Sequence, residues 1–343
     1  MNVQRIAAWF HPDDHLRPSK TDGSMEKLGK TQIEITPVAL GCWPIAGMTS
    51  VDVNDQDSIK TLRAAIESGV NFFDTAYCYG ANGESERLIG QALADCRDEI
   101  VIATKGGIHW DQNVQRVFDA SPARLIQECD ESLQRLGTDR VELLYLHAPD
   151  PAVPVADSAG ALLELKQAGK ALAIGVSNFT VGQLEAFSAV CPIDAHQPPY
   201  NMLQRQIESD TLPWCRERGI STIIYWPLMK GLLAGHLRRD HVFQAADGRG
   251  KYPMFQGDEW LKNQDFLDEL RAIAKAVDCT VAQLVVKWTI QQAGITAALC
   301  GAKRAYQIKE TAVAMQAPLD DETLAQIDLA LTNRGEPQTR SAV

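Results

Sequence analysis

The sequence predicts an α/β fold, a closed (β/α)8 TIM barrel with an N-terminal β-hairpin. Along the 343 residues, eight short apolar runs alternate with helical stretches, an order that favours a closed parallel barrel over an open sheet. No G-x-G-x-x-G sequence follows the first apolar run, so the fingerprint of the open dinucleotide-binding sheet is absent. We therefore expect one barrel domain over residues 25–343 and an N-terminal arm or frayed tail over residues 1–24.

The elements follow in order along the chain. A hairpin is expected where residues 27–35 turn at Gly29. The predicted strands are residues 37–40, 71–75, 100–104, 141–146, 172–176, 193–196, 222–225 and 295–299. The predicted helices are residues 58–68, 85–94, 122–136, 157–168, 181–189, 206–218, 260–277, 281–292 and 306–315. Glycines close several of these helices, as at Gly69 and Gly219. The irregular residues 231–257 are long enough to form a lid that moves when a cofactor binds, which is a hypothesis from length and glycine content.

Composition excludes several classes of function. A net charge of −11 argues against a nucleic-acid surface, which needs a concentrated basic field. No apolar run approaches the roughly 18–20 residues of a membrane span, and the start of the chain does not resemble a secretory signal. The eight cysteines form no CxxC pair and the histidines do not cluster, so we expect a cytoplasmic protein with reduced thiols and no metal. Cys78 is either a small packing residue or a reactive thiol.

Four polar side chains lie where predicted strands end or just beyond. Asp74 ends the second strand, Tyr79 follows on its loop, Lys105 ends the third strand, and His147 ends the fourth. In a parallel barrel all strand C-termini open onto one face, where active sites lie. Each residue alone is compatible with a salt bridge, a cap or a rim position. Together, however, the four are expected to converge.

The four groups form a complementary set for acid–base chemistry. A phenol with a pKa near 10 is a poor acid at neutral pH unless its anion is stabilised, and a nearby ammonium group stabilises it. A carboxylate paired with the ammonium keeps that group charged and in place. A neutral imidazole is then able to orient a carbonyl oxygen.

The sequence also resembles a known family over most of its length, from about residue 28 to past residue 301. Asp-Thr-Ala-x-x-Tyr-Gly occurs at 74–80, Gly-Val-Ser-Asn-Phe occurs at 175–179, and Lys105 and His147 occupy the expected strands. These motifs are similar to those of the aldo-keto reductase superfamily. The resemblance implies a (β/α)8 barrel that uses NAD(P)H to reduce aldehydes and ketones.

The resemblance also implies catalytic roles. Tyr79 would be the general acid that protonates the carbonyl oxygen, or the base in the reverse direction. Lys105, held by Asp74, would lower the pKa of Tyr79. His147 would orient the substrate carbonyl group.

A second set of residues is implied to bind the cofactor. Ser177, Asn178 and Gln197 would bond to the nicotinamide carboxamide, and Tyr225 would stack on the ring. The residues implied along the rest of the nicotinamide and pyrophosphate are Gly41, Trp43, Trp226, Pro227, Leu228, Lys230, Gly231 and Leu232. Trp226 replaces a small residue of the family pattern, and the sequence leaves open whether it crowds the pyrophosphate loop or turns outward.

The segment after the last strand is implied to hold the adenosine end. Its residues are Gly301, Lys303, Arg304, Gln307, Glu310 and Thr311. Two adjacent cations at a strand–helix junction suit a 2′-phosphate, although a solvated basic helix start would have the same sequence. Cys300 and Thr311 depart from the residues common in the family. Despite these departures, the two adjacent cations lead us to expect NADPH in preference to NADH.

The expected partner is a small carbonyl compound or a sugar, with no nucleic acid and no membrane. The predicted pocket wall consists of Trp43, Tyr77, His109 and Trp110, all of which are also compatible with satellite core packing.

Two alternative functions stay open. One is a regulatory subunit of the same fold that senses redox state through its cofactor; the other is a cofactor-free isomerase or lyase with Lys105 as a Schiff-base nucleophile.

Overall fold

The structure is a computed structural model that describes residues 25–48, 51–244 and 247–338. The predicted arm, residues 1–24, lies outside the described residues. The strands are β1 (Glu26–Lys27), β2 (Glu34–Ile35), β3 (Val38–Gly41), β4 (Phe72–Asp74), β5 (Val101–Gly106), β6 (Ile108–Trp110), β7 (Arg116–Phe118), β8 (Val141–Leu146), β9 (Ala171–Ser177), β10 (Ala195–Gln197), β11 (Ser221–Tyr225) and β12 (Ile295–Gly301).

Eight of the strands in the described part of the chain close into a parallel barrel. Their order around the barrel is β3, β4, β5, β8, β9, β10, β11 and β12, with β12 paired back to β3. Consecutive barrel strands along the chain are therefore neighbours in space, which confirms the predicted (β/α)8 fold. The antiparallel pair β1–β2 confirms the N-terminal hairpin. The amide of Gly29 in its turn donates to the Ser221 hydroxyl at 2.8 Å, which ties the hairpin to the start of β11.

Helices cover the outside of the barrel. The α-helices are α1 (Asp55–Glu67), α2 (Glu84–Leu93), α3 (Pro122–Leu136), α4 (Val155–Gln167), α5 (Val181–Ser188), α6 (Thr211–Arg218), α7 (Gly257–Ala276), α8 (Val281–Ile290), α9 (Ala305–Ala312) and α10 (Asp321–Arg334). Most lie within a few residues of their predicted positions. The residues between the barrel and these helices form the large outer core, and a smaller core fills the barrel itself.

One predicted helix is divided in two. Residues 206–218 form a 3-10 turn, Gln206–Ser209, and then α6, with non-helical backbone at Asp210. Pro213 accounts for the break, because a proline ring in a continuous helix would clash with the carbonyl four residues earlier, at Ser209. The irregular segment after β11 is likewise divided into short 3-10 turns.

Two elements were not predicted. The loop after β5 folds into the antiparallel hairpin β6–β7, in which Ile108 pairs with Phe118 and Trp110 with Arg116. Helix α10 follows a cap in which the Asp320 side chain accepts from the Thr323 amide. Its last residue, Arg334, is buried against Glu259 of α7, so the end of the described chain is anchored to the barrel wall.

Candidate active site

A buried ion pair lies at the centre of the strand C-termini. Lys105 Nζ donates to Asp74 Oδ1 at 2.5 Å and to the Thr75 carbonyl at 2.8 Å, and both charged side chains are almost fully buried. The Gln197 amide donates to the second Asp74 oxygen at 2.8 Å. Burial raises the pKa of Asp74, and the ammonium group opposes that shift. A buried charge is tolerated only when paired and hydrogen-bonded, and this pair meets both conditions.

Tyr79 lies directly above the ion pair. Lys105 Nζ is 3.4 Å from the phenol oxygen and 4.8 Å from the ring centre. The pKa of Tyr79 is nevertheless raised well above its usual value, first by burial and then by the Asp74 carboxylate. Burial and Asp74 set the direction of this shift, and the expectation that Lys105 lowers the pKa stays a prediction. Desolvation of the phenolate is the first cause of this shift, because burial favours the neutral phenol.

His147 faces Tyr79 across the mouth of the barrel. The two rings meet edge to face, with centroids 5.9 Å apart, and His147 Nδ1 is 3.6 Å from the Cys78 thiol. Burial, followed by the charges of Lys105 and Arg116, lowers the pKa of His147 well below its usual range. The imidazole is therefore neutral at physiological pH, the state in which it is able to orient a carbonyl oxygen. Burial raises the pKa of Cys78 to about 12, which favours the packing role over a reactive thiolate.

The floor of this site is a tyrosine that was not predicted. Tyr145 pairs across the sheet with Lys105 on one side and Gly175 on the other, and its ring lies 5.9 Å from Lys105 Nζ. A Cβ atom at Gly175 would overlap the Tyr145 ring. Glycine at this position is therefore what lets an aromatic ring fill the barrel beneath the ion pair.

A row of hydroxyl and amide groups lies beside the ion pair, at the ends of β9, β10 and β11. The Ser177 hydroxyl donates to the Gln197 carbonyl at 2.8 Å, and the Tyr225 hydroxyl donates to Asn178 Oδ1 at 2.6 Å. Asn178 has φ +64°, a conformation that is uncommon for residues other than glycine and often marks a functional position. These groups supply both donors and acceptors, the chemistry that a carboxamide requires, so the residues present fit a nicotinamide.

The loop after β11 has an unusual backbone. Trp226, Met229, Lys230 and Gly231 all have positive φ. Trp226 packs edge to face on Tyr225 at 5.4 Å, and Lys230 Nζ lies 4.2 Å from the centre of the Trp226 ring. The indole is therefore stacked between its sequence neighbour and a cation.

A second layer covers that loop. Lys230 Nζ also lies 4.9 Å from the Tyr252 ring centre. Arg249 donates to the Lys230 carbonyl at 3.3 Å, and Asp247 accepts from Arg249 at 2.7 Å. Residues 247–252 thus bind the loop through one cation and one aromatic ring. Whether they move on cofactor binding stays a prediction.

The residues predicted to bind the adenosine end make contacts with nearby segments of the chain. Lys303 Nζ donates to the Val51 carbonyl at 2.9 Å and Arg304 to the Asp52 carbonyl at 2.6 Å. The side chain of Gln307 accepts from the amides of both cations and caps helix α9. Arg304 Nε also lies 3.6 Å from the Asp57 carboxylate at the start of α1. The Thr311 hydroxyl bonds within its own helix, and Glu310 lies 3.7 Å from His236.

The four predicted pocket residues divide into two groups. Trp43 packs edge to face on Tyr79 at 5.0 Å, and Trp110 belongs to a small cluster with Cys78 and Tyr79, so both border the Tyr79 side chain. Tyr77 donates to Glu131 of α3 at 2.6 Å, and its ring stacks on an arginine of the same helix. His109 lies 3.4 Å from Glu128 of α3. These two side chains are directed to the outer helix layer.

Among the described residues, no group of three or more His, Cys, Asp or Glu side chains is arranged to hold a metal ion. The absence of a metal stays a prediction. Over the same residues, no helix is long and apolar enough to cross a membrane.

Two polar contacts of the site were not predicted from local sequence, those from Gln197 to Asp74 and from Arg249 to the loop after β11. Both join residues far apart in the chain.

Comparisons with known proteins agree with this geometry. The sequence model of the Aldo/keto reductase family matches residues 37–331. "Aldo-keto reductase YhdN" of Bacillus subtilis (strain 168) is 36% identical over 309 residues, which cover 89% of this chain and 93% of that protein. The "NADH-specific methylglyoxal reductase" of Escherichia coli (strain K12) is 33% identical over 309 residues, covering 86% and 94%. The solved structure of the glycerol dehydrogenase AKR11B4 from Gluconobacter oxydans superimposes with a TM-score of 0.86 at 32% identity, covering 94% of this chain and 99% of that one.

Proposed function

The chain belongs to the aldo/keto reductase family, whose members are NAD(P)-dependent oxidoreductases, and from that premise we propose that it reduces small aldehydes and ketones to alcohols with NADPH, using Tyr79 as the general acid. The observation that carries the proposal is the convergence of four side chains around one mouth: the buried Asp74 and Lys105 and the partly buried Tyr79 and His147. The bound dinucleotide would supply hydride to the carbonyl carbon. Sugars are a second substrate class with the same reacting group.

The protonation states of the chain support this direction of proton transfer. A raised pKa keeps Tyr79 protonated at neutral pH, which is the form that donates a proton to a developing alkoxide. Lys105, 3.4 Å from the phenol oxygen, stabilises the negative charge that Tyr79 acquires as its proton leaves. The neutral His147 ring opposite Tyr79 is able to hold the carbonyl oxygen within reach of the phenol.

The cofactor preference is proposed on charge. Lys303 and Arg304 bind main-chain carbonyls, and Arg304 also lies 3.6 Å from Asp57. A 2′-phosphate would replace the neutral carbonyl acceptors with charge-assisted bonds and would compete with Asp57 for Arg304. The relative named as NADH-specific is 33% identical to this chain, which makes the preference worth direct measurement. NADH is the alternative.

A second candidate function is a regulatory subunit that keeps its cofactor and reduces nothing. His147 is present and adjacent to Tyr79, which favours the enzyme. The cofactor-free Schiff-base alternative is disfavoured, because Lys105 is buried in an ion pair and is therefore a poor nucleophile.

The proposal is tested by oxidation of NADPH with a panel of small aldehydes, followed by absorbance of the reduced nicotinamide. Tyr79→Phe is expected to lower kcat by a factor of about 10²–10⁴ while NADPH still quenches or shifts fluorescence as in the parent. Tyr306→Phe, which alters an exposed phenol on α9, serves as the control and should retain full activity. Tight NADPH binding with no turnover of any aldehyde would favour the regulatory function, and no nicotinamide binding would overturn the proposal.

A further inference from the structure

We propose that Arg116 is a specificity-determining residue at the mouth of the barrel and that it selects carbonyl substrates carrying an anionic group at the end away from the carbonyl. This inference deepens the proposed reductase function and depends on it for the reaction. It adds a substrate class that the four catalytic residues do not define.

The register of the β6–β7 hairpin places Arg116 on the face that borders the site. Directly opposed residues of an antiparallel pair share one face, and alternate residues along each strand do as well. Trp110 and Arg116 are opposed, as are Ile108 and Phe118, so these four side chains point the same way. His109 and Val117 occupy the other face.

The mouth-side face is identified by its contacts. Ile108 is buried with Cys78, and Trp110 and Phe118 pack on the same cluster as Tyr79. The Trp110 indole donates to the Cys78 carbonyl at 2.7 Å, which fixes the hairpin over the catalytic loop. Burial falls along this face from Ile108 to the exposed Arg116. Arg116 is therefore its outermost member, at the entrance.

The guanidinium group of Arg116 is positioned by the aromatic ring of Phe118. Arg116 Cζ lies 5.0 Å from the centre of the Phe118 ring, a cation–π distance. Its charge is also one of the causes that lower the pKa of His147, so its field extends to the catalytic imidazole. A cation in this position attracts the distal anion of a substrate whose carbonyl lies at His147 and Tyr79.

Arg116 also differs from neighbouring cations in having no carboxylate partner among the described residues. Arg124 pairs with Glu128 at 2.8 Å, and Arg249 pairs with Asp247. The carboxylate of Asp111, in the turn of the same hairpin, accepts from the amides of Asn113 and Gln115. Within the described part of the chain, no carboxylate forms an ion pair with Arg116.

The experiment compares two aldehydes of matched shape. In 4-oxobutanoate the distal group is a carboxylate, and in 4-methylpentanal it is a neutral isopropyl group of similar size. 4-Carboxybenzaldehyde and 4-isopropylbenzaldehyde form a second pair with a longer, rigid spacer. The ratio of kcat/KM for the anionic over the neutral member is measured for each pair in the parent, in Arg116→Met and in Arg116→Lys.

Arg116→Met keeps the aliphatic contact with Phe118 and removes the charge. A hydrogen bond to a charged group contributes roughly tenfold to hundredfold in affinity, so this variant should lower the ratio by about that factor in at least one pair. Turnover of the neutral aldehydes should be unchanged. Arg116→Lys should restore part of the preference, and added salt should weaken it in the parent.

A control removes a cation from the opposite end of the barrel. Arg140 is partly exposed beside Asp98 and Asp139, just before β8 begins. Arg140→Met changes net charge equally but should leave the ratio unchanged. Equal ratios in the parent and Arg116→Met for both pairs, or an equal loss with Arg140→Met, would overturn the assignment.

Binding separates this inference from the reductase proposal. Calorimetry with 4-hydroxybutanoate, the alcohol product, needs no turnover and is performed with the NADP-loaded protein. Failure of the neutral aldehydes to react would count against the proposed function alone. Loss of 4-hydroxybutanoate affinity in Arg116→Met would still support the anion site, and equal affinity in parent and variant would overturn it.

Discussion

Two regions predicted to be functional depend on basic side chains but hold those cations differently. One is the predicted catalytic corner, formed by Asp74, Lys105 and Tyr79, and the other is the pair of Lys303 and Arg304, which is predicted to bind the adenosine end. Lys105 is buried and bound by a carboxylate, a carbonyl and a phenol. Lys303 and Arg304 are partly exposed, and each donates to a main-chain carbonyl of residues 51–52. The first arrangement is fixed without any ligand. In the second, neutral carbonyls are the main acceptors and Asp57 lies 3.6 Å from Arg304, so its specificity depends on the ligand that replaces these contacts.

The largest expected effect comes from breaking the buried ion pair. Lys105→Met should abolish measurable aldehyde reduction and lower the free energy of unfolding by about 3–5 kcal/mol, because Asp74 is left buried and unpaired. Chemical denaturation and turnover assays measure the two effects. The double variant Lys105→Met with Asp74→Asn should recover part of the stability and none of the activity. A stable and active Lys105→Met protein would show that the corner is less constrained than its contacts indicate.

The next largest effect is expected at Glu128, a second buried ionisable side chain close to Lys105. Glu128 accepts from the Gly107 amide at 2.6 Å, two residues after Lys105, and burial raises its pKa from 4.5 to about 7. The folded state therefore binds more protons than the unfolded state between these values, so stability from this group falls as pH rises through that window. The loss amounts to about 3 kcal/mol.

Glu128→Gln removes this titration. Denaturation curves across the same pH window should show that the stability of the parent relative to the variant declines as pH rises. Only the pH dependence of the difference is diagnostic, since the substitution also alters the contact with Arg124. Parallel pH profiles would mean that the Gly107 amide and Arg124 hold Glu128 ionised.

A smaller effect is expected at the adenosine end. Arg304→Ala should weaken NADPH binding by about tenfold to hundredfold, because a charge-assisted bond to the 2′-phosphate is lost. NADH binding should change little, since NADH lacks that phosphate. Fluorescence titration with both cofactors measures the ratio, and equal losses for the two would contradict the phosphate role.

The smallest effect is expected at a neighbouring surface cation. Lys309 on α9 lies 3.1 Å from Glu67, and both side chains are more than half exposed. Lys309→Ala should change the free energy of unfolding by less than about 1 kcal/mol and leave both cofactor affinities unchanged. It serves as the control for Arg304→Ala. An equal loss of NADPH affinity in both variants would show that the basic residues act through general charge attraction and not through a specific contact with the 2′-phosphate.

Local sequence determined the order of the strand–helix units and the placement of Asp74, Lys105 and His147 at strand ends. Those features follow from apolar runs, glycines and the fixed direction of a parallel barrel, which brings successive strand ends to one face. Pro213 also predicts the break in the helix at Asp210. Helix α10 was not predicted, although its capping residue Asp320 is a local signal for a helix start.

Only the tertiary structure decided how those groups are tuned. The pKa of Tyr79 depends on burial and on the nearby Asp74 carboxylate, and neither can be read from the spacing of residues in the sequence. The face on which Arg116 lies depends on the register of the β6–β7 hairpin, and a shift of one residue would reverse it. Residue types and their order fix which chemistry is present, whereas desolvation and long-range contacts fix its strength and direction, because both depend on groups that meet only in the folded chain.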